Sequence, residues 1–440
     1  MDLTARLRSI VRPAGAAPRE LTYEPDTGRY EATLDLDRVA DVLGGRVIQN
    51  SFGRALVIDR RYESDRHHGA SCVGDCALCD GDGLRLLDPG LQPPDGCGTK
   101  SVFLDLETTG ISGGAGTVAF LVGCAWFDLG ALQVRQFLLT SFAAERALLA
   151  AAAEVFDETS LLVTYNGKTF DVPVMETRWL FHRMAMPFEG VRHFDMLHPA
   201  RRLWRTRSAA ESPDGDGSCR LTMLERLVCG VRRAGDVPGM EIPSRYFRFL
   251  RTGDAYPLEP VLEHNRLDLI SLAAVTASAV RLVEEGSAAC RDGLEALALG
   301  KVYDRAGSLD RAAECYRRAA SDSEAPIELR AEALYRIAVR LRRERRFEEA
   351  AEAWRALLDL PSARSRRRSP AVSTLRQVAA EALAVHREHR ERDYAGAREL
   401  ALLARAEIDA ADDRRVDATE HRIARLDRKL AARGSSQLFG

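Results

Sequence analysis

The sequence predicts an α/β domain, a mixed sheet flanked by helices, followed by an all-α region of helical repeats. Three observations carry that expectation. Apolar strand-like runs at 102–104, 118–127, 132–139 and 161–165 alternate with amphipathic helical stretches between residues 101 and 285. Beyond residue 291 strand formers thin out, and Ala, Arg, Glu and Leu recur at helical spacing. Within that second part Leu309-Asp310-Arg311-Ala312-Ala313-Glu314-Cys315-Tyr316 matches Phe347-Glu348-Glu349-Ala350-Ala351-Glu352-Ala353-Trp354, 38 positions on.

The chain divides into three parts, 1–97, 98–286 and 291–440. Residues 1–20 place Pro13, Gly15 and Pro18 among four arginines and read as a loosely ordered arm. Short apolar pieces between 21 and 62 suggest a small strand-rich lead-in. The stretch 64–100 is rich in Gly, Asp and Pro and carries Cys72, Cys76 and Cys79 at C-x3-C-x2-C spacing, with Cys97 as a fourth thiol. Four soft ligands on a loop suit zinc or an iron–sulfur cluster; a loop with incidental thiols is the alternative.

The middle part opens on Phe103-Leu104-Asp105-Leu106-Glu107-Thr108-Thr109-Gly110. On a strand Asp105 and Glu107 share one face while Leu104 and Leu106 point to the core. Two adjacent acids repel and are costly to desolvate, unless a divalent cation sits between them. An isolated Asp-x-Glu is commonly a solvated strand end, so the segments downstream decide. A glycine-rich turn at 111–116, a hairpin over 118–139 and a helix over 143–156 lead to the run 161–165. Next comes Asn166-Gly167-Lys168-Thr169-Phe170-Asp171, with a helix starting near Asp171. Farther along, His264-Asn265-Arg266-Leu267-Asp268 opens a long amphipathic helix, with His264 and Asp268 four apart on one face. Asp105, Glu107, Asp171 and Asp268 thus assemble four carboxylates beside one histidine. Two Mg²⁺ or Mn²⁺ ions about 4 Å apart, held by such a set, suit in-line phosphodiester displacement.

Between these segments, 191–195 reads as a strand entering a helix at 197–204, with Asp195 either its N-cap or an acid beside the site. Arg201, Arg202, Arg205 and Arg207 surround Trp204, either to follow a phosphate backbone and stack a base or to solvate a helix face. Lys168 is a further candidate for the scissile phosphate. A loop at 208–218, a helix at 221–228, the Arg- and aromatic-rich stretch 241–249 and a basic loop at 362–369 complete the pattern, with a weaker third repeat copy from Asp393 to Leu400.

Asp-x-Glu, then Asn-x-x-x-Phe-Asp, then His-x-x-x-Asp resembles the three motifs of the DEDD, DnaQ-like exonucleases of ribonuclease H-like fold. Leu104–Gly110, Phe194-Asp195-Met196-Leu197-His198-Pro199-Ala200-Arg201-Arg202-Leu203-Trp204 and Glu263–Asp268 look like its YprB-like branch, over about residues 98–285. The resemblance implies 3′-to-5′ removal of nucleotides from single-stranded DNA or RNA ends by a two-metal mechanism. In it Asp105, Glu107, Asp171 and Asp268 bind metal and His264 acts as general base. One departure stands out: three residues separate His264 from Asp268, the spacing of the tyrosine subclass, where the histidine subclass has four. Either His264 takes the tyrosine's place, or it is a helix-surface residue. The C-terminal copies resemble tetratricopeptide repeats, which imply a protein partner or self-association.

A 46% hydrophobic, 29% charged chain is globular, and no apolar run reaches the roughly 20 residues of a membrane span. Nine cysteines, an odd number, and an N-terminus without an apolar leader point to a reducing cytoplasm. A net charge of −2 does not advertise nucleic acid, so local basic patches must carry any phosphate binding. The reading is a metal-dependent hydrolase, a 3′-5′ exonuclease. The alternative is a catalytically weak or inactive nucleic-acid-binding scaffold that recruits partners through its repeats.

Overall fold

The computed structural model describes residues 34–77, 81–93, 100–110, 116–211, 219–361, 369–408 and 412–438. The arm at 1–20, Cys79 and Cys97, most of the glycine turn at 111–116, most of the loop at 208–218 and nearly all of the basic loop at 362–369 lie outside them.

Helix α1 (Leu36–Leu43) leads into β1 (Arg46–Asn50) and β2 (Gly53–Tyr62), and a small hairpin follows, β3 (His67–His68) with β4 (Ser71–Cys72). After α2 (Asp82–Leu87) come β5 (Lys100–Thr108), β6 (Ala119–Asp128), β7 (Ala131–Leu138), α3 (Glu145–Ala153), β8 (Thr159–Thr164), α4 (Asp171–Phe181), β9 (Arg192–Asp195) and α5 (Leu197–Glu211). The strands form one seven-stranded sheet in the order β1-β2-β7-β6-β5-β8-β9. β5 pairs antiparallel with β6 and parallel with β8. The expected α/β class is thus a mixed sheet of ribonuclease H-like type. Its outer strands β1 and β2 are the segment the sequence suggested as a separate lead-in: β2 joins the sheet directly, Leu56 opposite Leu138.

Local chemistry explains these elements. β6 and β7 are joined by Leu129 and Gly130, both at positive φ (49° and 80°), the two-residue turn whose twist matches that of the strands. β5 alternates as expected, with Leu104 and Leu106 buried and Asp105 and Glu107 half-buried. It lies inside the sheet between β6 and β8, so its acids are held on a rigid element.

A short helix, α6 (Leu221–Leu224), runs into a π turn at Glu225–Cys229, ended by Gly230 in the left-handed region. Then come α7 (Ile242–Thr252) and α8 (Glu259–Glu285). α8 begins more than a turn before His264, so the motif sits inside the helix rather than at its start. Beyond it the described residues form helices: α9 (Gly293–Arg305), α10 (Leu309–Ser321), α11 (Ile327–Arg343), α12 (Phe347–Asp359), α13 (Pro370–His386), α14 (Tyr394–Glu407) and α15 (Asp413–Leu438). Each packs on the next, and the matching sequence copies form α10 and α12. Their alanines, such as Ala312 and Ala351, are buried where helices approach closely. Residues 36–440 form one compact unit, in which a continuous apolar cluster runs from Phe103 on the sheet through α8 to Tyr316 on α10. Among the described residues no helix is long and apolar enough to cross a membrane.

Candidate active site

Asp105 and Glu107 arrive on the central strand, whose pairing with β6 shifts between Glu107 and Thr108. Such irregularities re-aim side chains at strand ends. Opposite Asp105 on β6 stands Gly123, and Asn265 of α8 lies over it: a Cβ there would meet Asn265 Oδ1 at 2.2 Å. The glycine therefore lets α8 come down onto the sheet. Asn265, fully buried, uses that proximity to donate to Asp105 Oδ2 at 2.8 Å and accepts from Gln136 Nε2 at 2.8 Å.

Asp171 is the first residue of α4 and is buried. Asp195 places it. One Asp195 oxygen accepts from Asn166 N (2.8 Å) and Leu197 N (3.1 Å), the other from Lys168 N (3.1 Å). It thus ties the start of α5 to the loop before α4. Asn166 takes φ 68° to make that turn. The backbone amides of Asp171 and Leu106 favour the ionised Asp171 carboxyl and partly offset its burial.

Asp268, on α8, completes the set. Burial first, then the charges of Asp268, Glu107 and Asp171, push Asp105 well above the usual carboxylate range. Glu107 is raised likewise by burial and by Asp268 and Asp171. Asp171 is pushed up, mainly by burial, to about 7. Three elements distant in sequence have brought four acids into mutual repulsion, which a cation would relieve.

His264 shares the helix face of Asp268, and its side chain is 14% exposed. Its Nδ1 lies 2.7 Å from Asp236 Oδ1 and its Nε2 3.7 Å from Asp268 Oδ2. Burial opposes ionisation of Asp236, but the His264 hydrogen bond and the His264 and Arg233 charges hold it below its usual range. As a carboxylate it accepts, so in the neutral ring the proton sits on Nδ1 and Nε2 faces Asp268. His264 is thus partly buried and held between Asp236 and Asp268. Arg233, from the same loop as Asp236, pairs with Asp268, Asp236 and Glu225.

A family model of the RNase H superfamily matches residues 102–280, the span that holds all four acids. The chain is also 31% identical over 331 residues to a Bacillus subtilis (strain 168) protein described as uncharacterized protein YprB, covering 75% of this chain and 75% of that one. The chain belongs to the YprB family of the RNase H superfamily.

RNase H-like nucleases generally use divalent metals, and the hard oxygen donors of this YprB relative fit such ions. Among the described residues no group of three or more His, Cys, Asp and Glu is set closely enough to hold an ion as it stands. Asp268, for its part, is paired with Arg233.

The remaining sequence candidates fare differently. Trp204 does not stack on a base: it is 1% exposed and donates its indole N–H to Glu295 of α9 at 3.0 Å. Arg202 donates to the Leu87 carbonyl at 3.0 Å and Arg207 pairs with Asp292, so both brace the fold. Arg201 and Arg205 are exposed. Lys168 pairs with Asp88 at 3.3 Å and stays 40% exposed. In the cysteine-rich stretch, Cys72 Sγ lies 3.7 Å from His67 Nε2, and Cys76 donates to the Cys72 carbonyl at 3.3 Å. Burial pushes the Cys76 thiol up to about 11.

Sequence reasoning missed Asn265, Asp236, Arg233 and the tie Asp195 makes to the loop before α4. Asn265 stands inside the third motif, where no pattern assigns it a function. Asp236 and Arg233 sit in an irregular loop with no periodicity to mark them.

Proposed function

We propose that this protein is a metal-dependent 3′-5′ exonuclease acting on single-stranded DNA or RNA ends, with two Mg²⁺ or Mn²⁺ held by Asp105, Glu107, Asp171 and Asp268. What supports this reading is that Asp105 and Glu107 on β5 feel the charges of Asp171 on α4 and Asp268 on α8, with an imidazole on Asp268's own helical face. Bound divalent ions supply Lewis acidity for phosphodiester hydrolysis. The chain's own residues do the rest. Asn265 orients Asp105, and Asp195 holds the loop that delivers Asp171. Asp236 fixes the ring of His264, whose Nε2 takes the proton of the attacking water. Exposed Arg201 and Arg205, with Lys168, offer cations for the nucleic-acid backbone. The helices from Gly293 onward act as tetratricopeptide-like repeats for a protein partner or self-association, in the cytoplasm.

The Arg233–Asp268 pair favours a second reading, a scaffold of weak or no turnover. One experiment separates the two: purified protein with end-labelled single-stranded DNA and RNA, in Mg²⁺, Mn²⁺ or chelator. Metal-dependent shortening from the 3′ end is expected. Binding without shortening in either metal overturns the enzyme reading.

A further inference from the structure

The Arg233 side chain is only 5% exposed, and each of its guanidinium nitrogens has an acidic partner. Nε and Nη2 each donate to Glu225 at 2.8 Å, Nη1 reaches Asp236 at 3.2 Å, and Nη2 also meets Asp268. Glu225, 2% exposed, is itself anchored, because Ser271 Oγ donates to it at 2.5 Å and lies 2.9 Å from Nε2 of buried His68. The guanidinium is therefore fixed from behind by Glu225, in the π turn after α6, and presents its front to two acids of the site. The two oxygens of Asp236 divide between Arg233 and His264. Asp105, Glu107 and Asp171 differ: among the described residues no Lys or Arg pairs with them, and what surrounds them is mutual repulsion.

We propose that Arg233 is a resident counter-cation of the acidic centre, which divides it into a preset arm (Asp268, Asp236 and His264) and an open trio (Asp105, Glu107 and Asp171). Two divalent ions then bind unequally. The first enters the trio, where it relieves repulsion and meets no competing charge. The second must share Asp268 with a guanidinium that cannot swing away, because Glu225 holds it in two places. Arg233 is thus a positioning residue, acting through Asp268 and Asp236. The inference rests on the metal-dependent reading of the site.

The test is isothermal titration calorimetry of Mn²⁺ into full-length, chelator-treated protein, which needs no turnover. The unaltered chain should show two classes of site at least tenfold apart. Arg233→Gln should tighten the weak class at least tenfold, the direction expected for removing a positive charge that competes with the ion for Asp268. Arg233→Lys, which keeps the charge, should preserve the gap. Arg233→Gln strands Glu225 in the interior, so the Glu225→Gln/Arg233→Gln double variant repeats the test without a buried unpaired charge. Two equal classes in the unaltered chain, or a weak class that stays put or weakens in both Gln variants, overturn the inference and leave the nuclease reading standing. An unaltered chain that binds no Mn²⁺ overturns both.

Discussion

Asn265 grips Asp105 twice, donating its amide to the carboxylate at 2.8 Å and to the backbone carbonyl of the same residue at 3.2 Å. A side chain on α8 thereby fixes both the position and the rotamer of an acid on β5. The grip depends on Gly123, because no side chain fits between Asn265 and β6 there.

Gly123→Ala should push Asn265 off Asp105. The added methyl meets Asn265 Oδ1 at 2.2 Å, so a stability loss of about 1–3 kcal/mol is expected, as for overpacking elsewhere. Urea unfolding measures it, and Mn²⁺ affinity should fall alongside. A variant as stable as its parent would show that Asn265 yields freely.

His264→Ala should lower turnover by about 10²–10⁴-fold, the usual contribution of a positioned general base. Mn²⁺ affinity should stay within a few-fold, because the four carboxylates remain. Asp236→Asn should cost less, since it frees the ring without removing it. Turnover of the parent level in His264→Ala means the imidazole moves no proton.

The pH dependence of stability has a definite sign. Asp171 is raised from 3.8 to about 7 in the folded chain, so folding favours its protonated form. That stabilisation is complete below 3.8 and is lost as pH rises towards about 7. Asp105 and Glu107, raised in the same direction, add to it. Melting in chelator should therefore drop over this window, and Mn²⁺ should restore the upper end. Asp171→Asn should abolish turnover yet raise the chelator-treated melting temperature. A melting temperature that does not change between pH 4 and 7 in chelator would contradict the raised carboxyls.

Glu388 offers the opposite case. Burial opposes its ionisation, but hydrogen bonds and charge from Arg425 and Lys429 outweigh it and bring the carboxyl from 4.5 to about 2. Its stabilisation is present above 4.5 and lost as pH falls towards 2. Glu388→Gln should loosen α15, which contributes Arg422, Arg425 and Lys429, by about 1.5–3 kcal/mol. Faster amide exchange confined to α15 is the readout.

Trp204→Ala should destabilise the chain by about 3–5 kcal/mol, the range for emptying a large buried site. Affinity for single-stranded oligonucleotide, measured by anisotropy below the melting transition, should be unchanged. A tenfold weaker affinity in the folded variant would return Trp204 to the substrate.

The alternation of β5, the 118–139 hairpin and the start of α4 at Asp171 were legible because each is a local pattern: period two, a turn dipeptide, a helix boundary. Strand and helix periodicity likewise put Asp105 and Glu107 on one face of β5, and His264 and Asp268 on one face of α8. What escaped depends on contacts across the fold. Trp204 among arginines reads as a stacking platform until Glu295, 91 residues away, takes its N–H. β1 and β2 read as a separate piece until Leu56 is seen opposite Leu138. Asp236 and Arg233 belong to a loop, whose geometry no propensity encodes.

The shared core also bears on how such a chain can be taken apart and recombined. Trp204, Tyr303 and Tyr316 sit in one apolar cluster, and Arg291 at the junction donates to the Leu227 carbonyl at 2.8 Å. The boundary at residues 286–291 is thus a seam in composition, not in packing. A lineage that exchanged the repeats there for another module would expose the flank of its sheet-bearing half, unless the newcomer carried a matching apolar face. The two halves must therefore change in step, and a substitution in α9 or α10 is felt by the nuclease fold as its own.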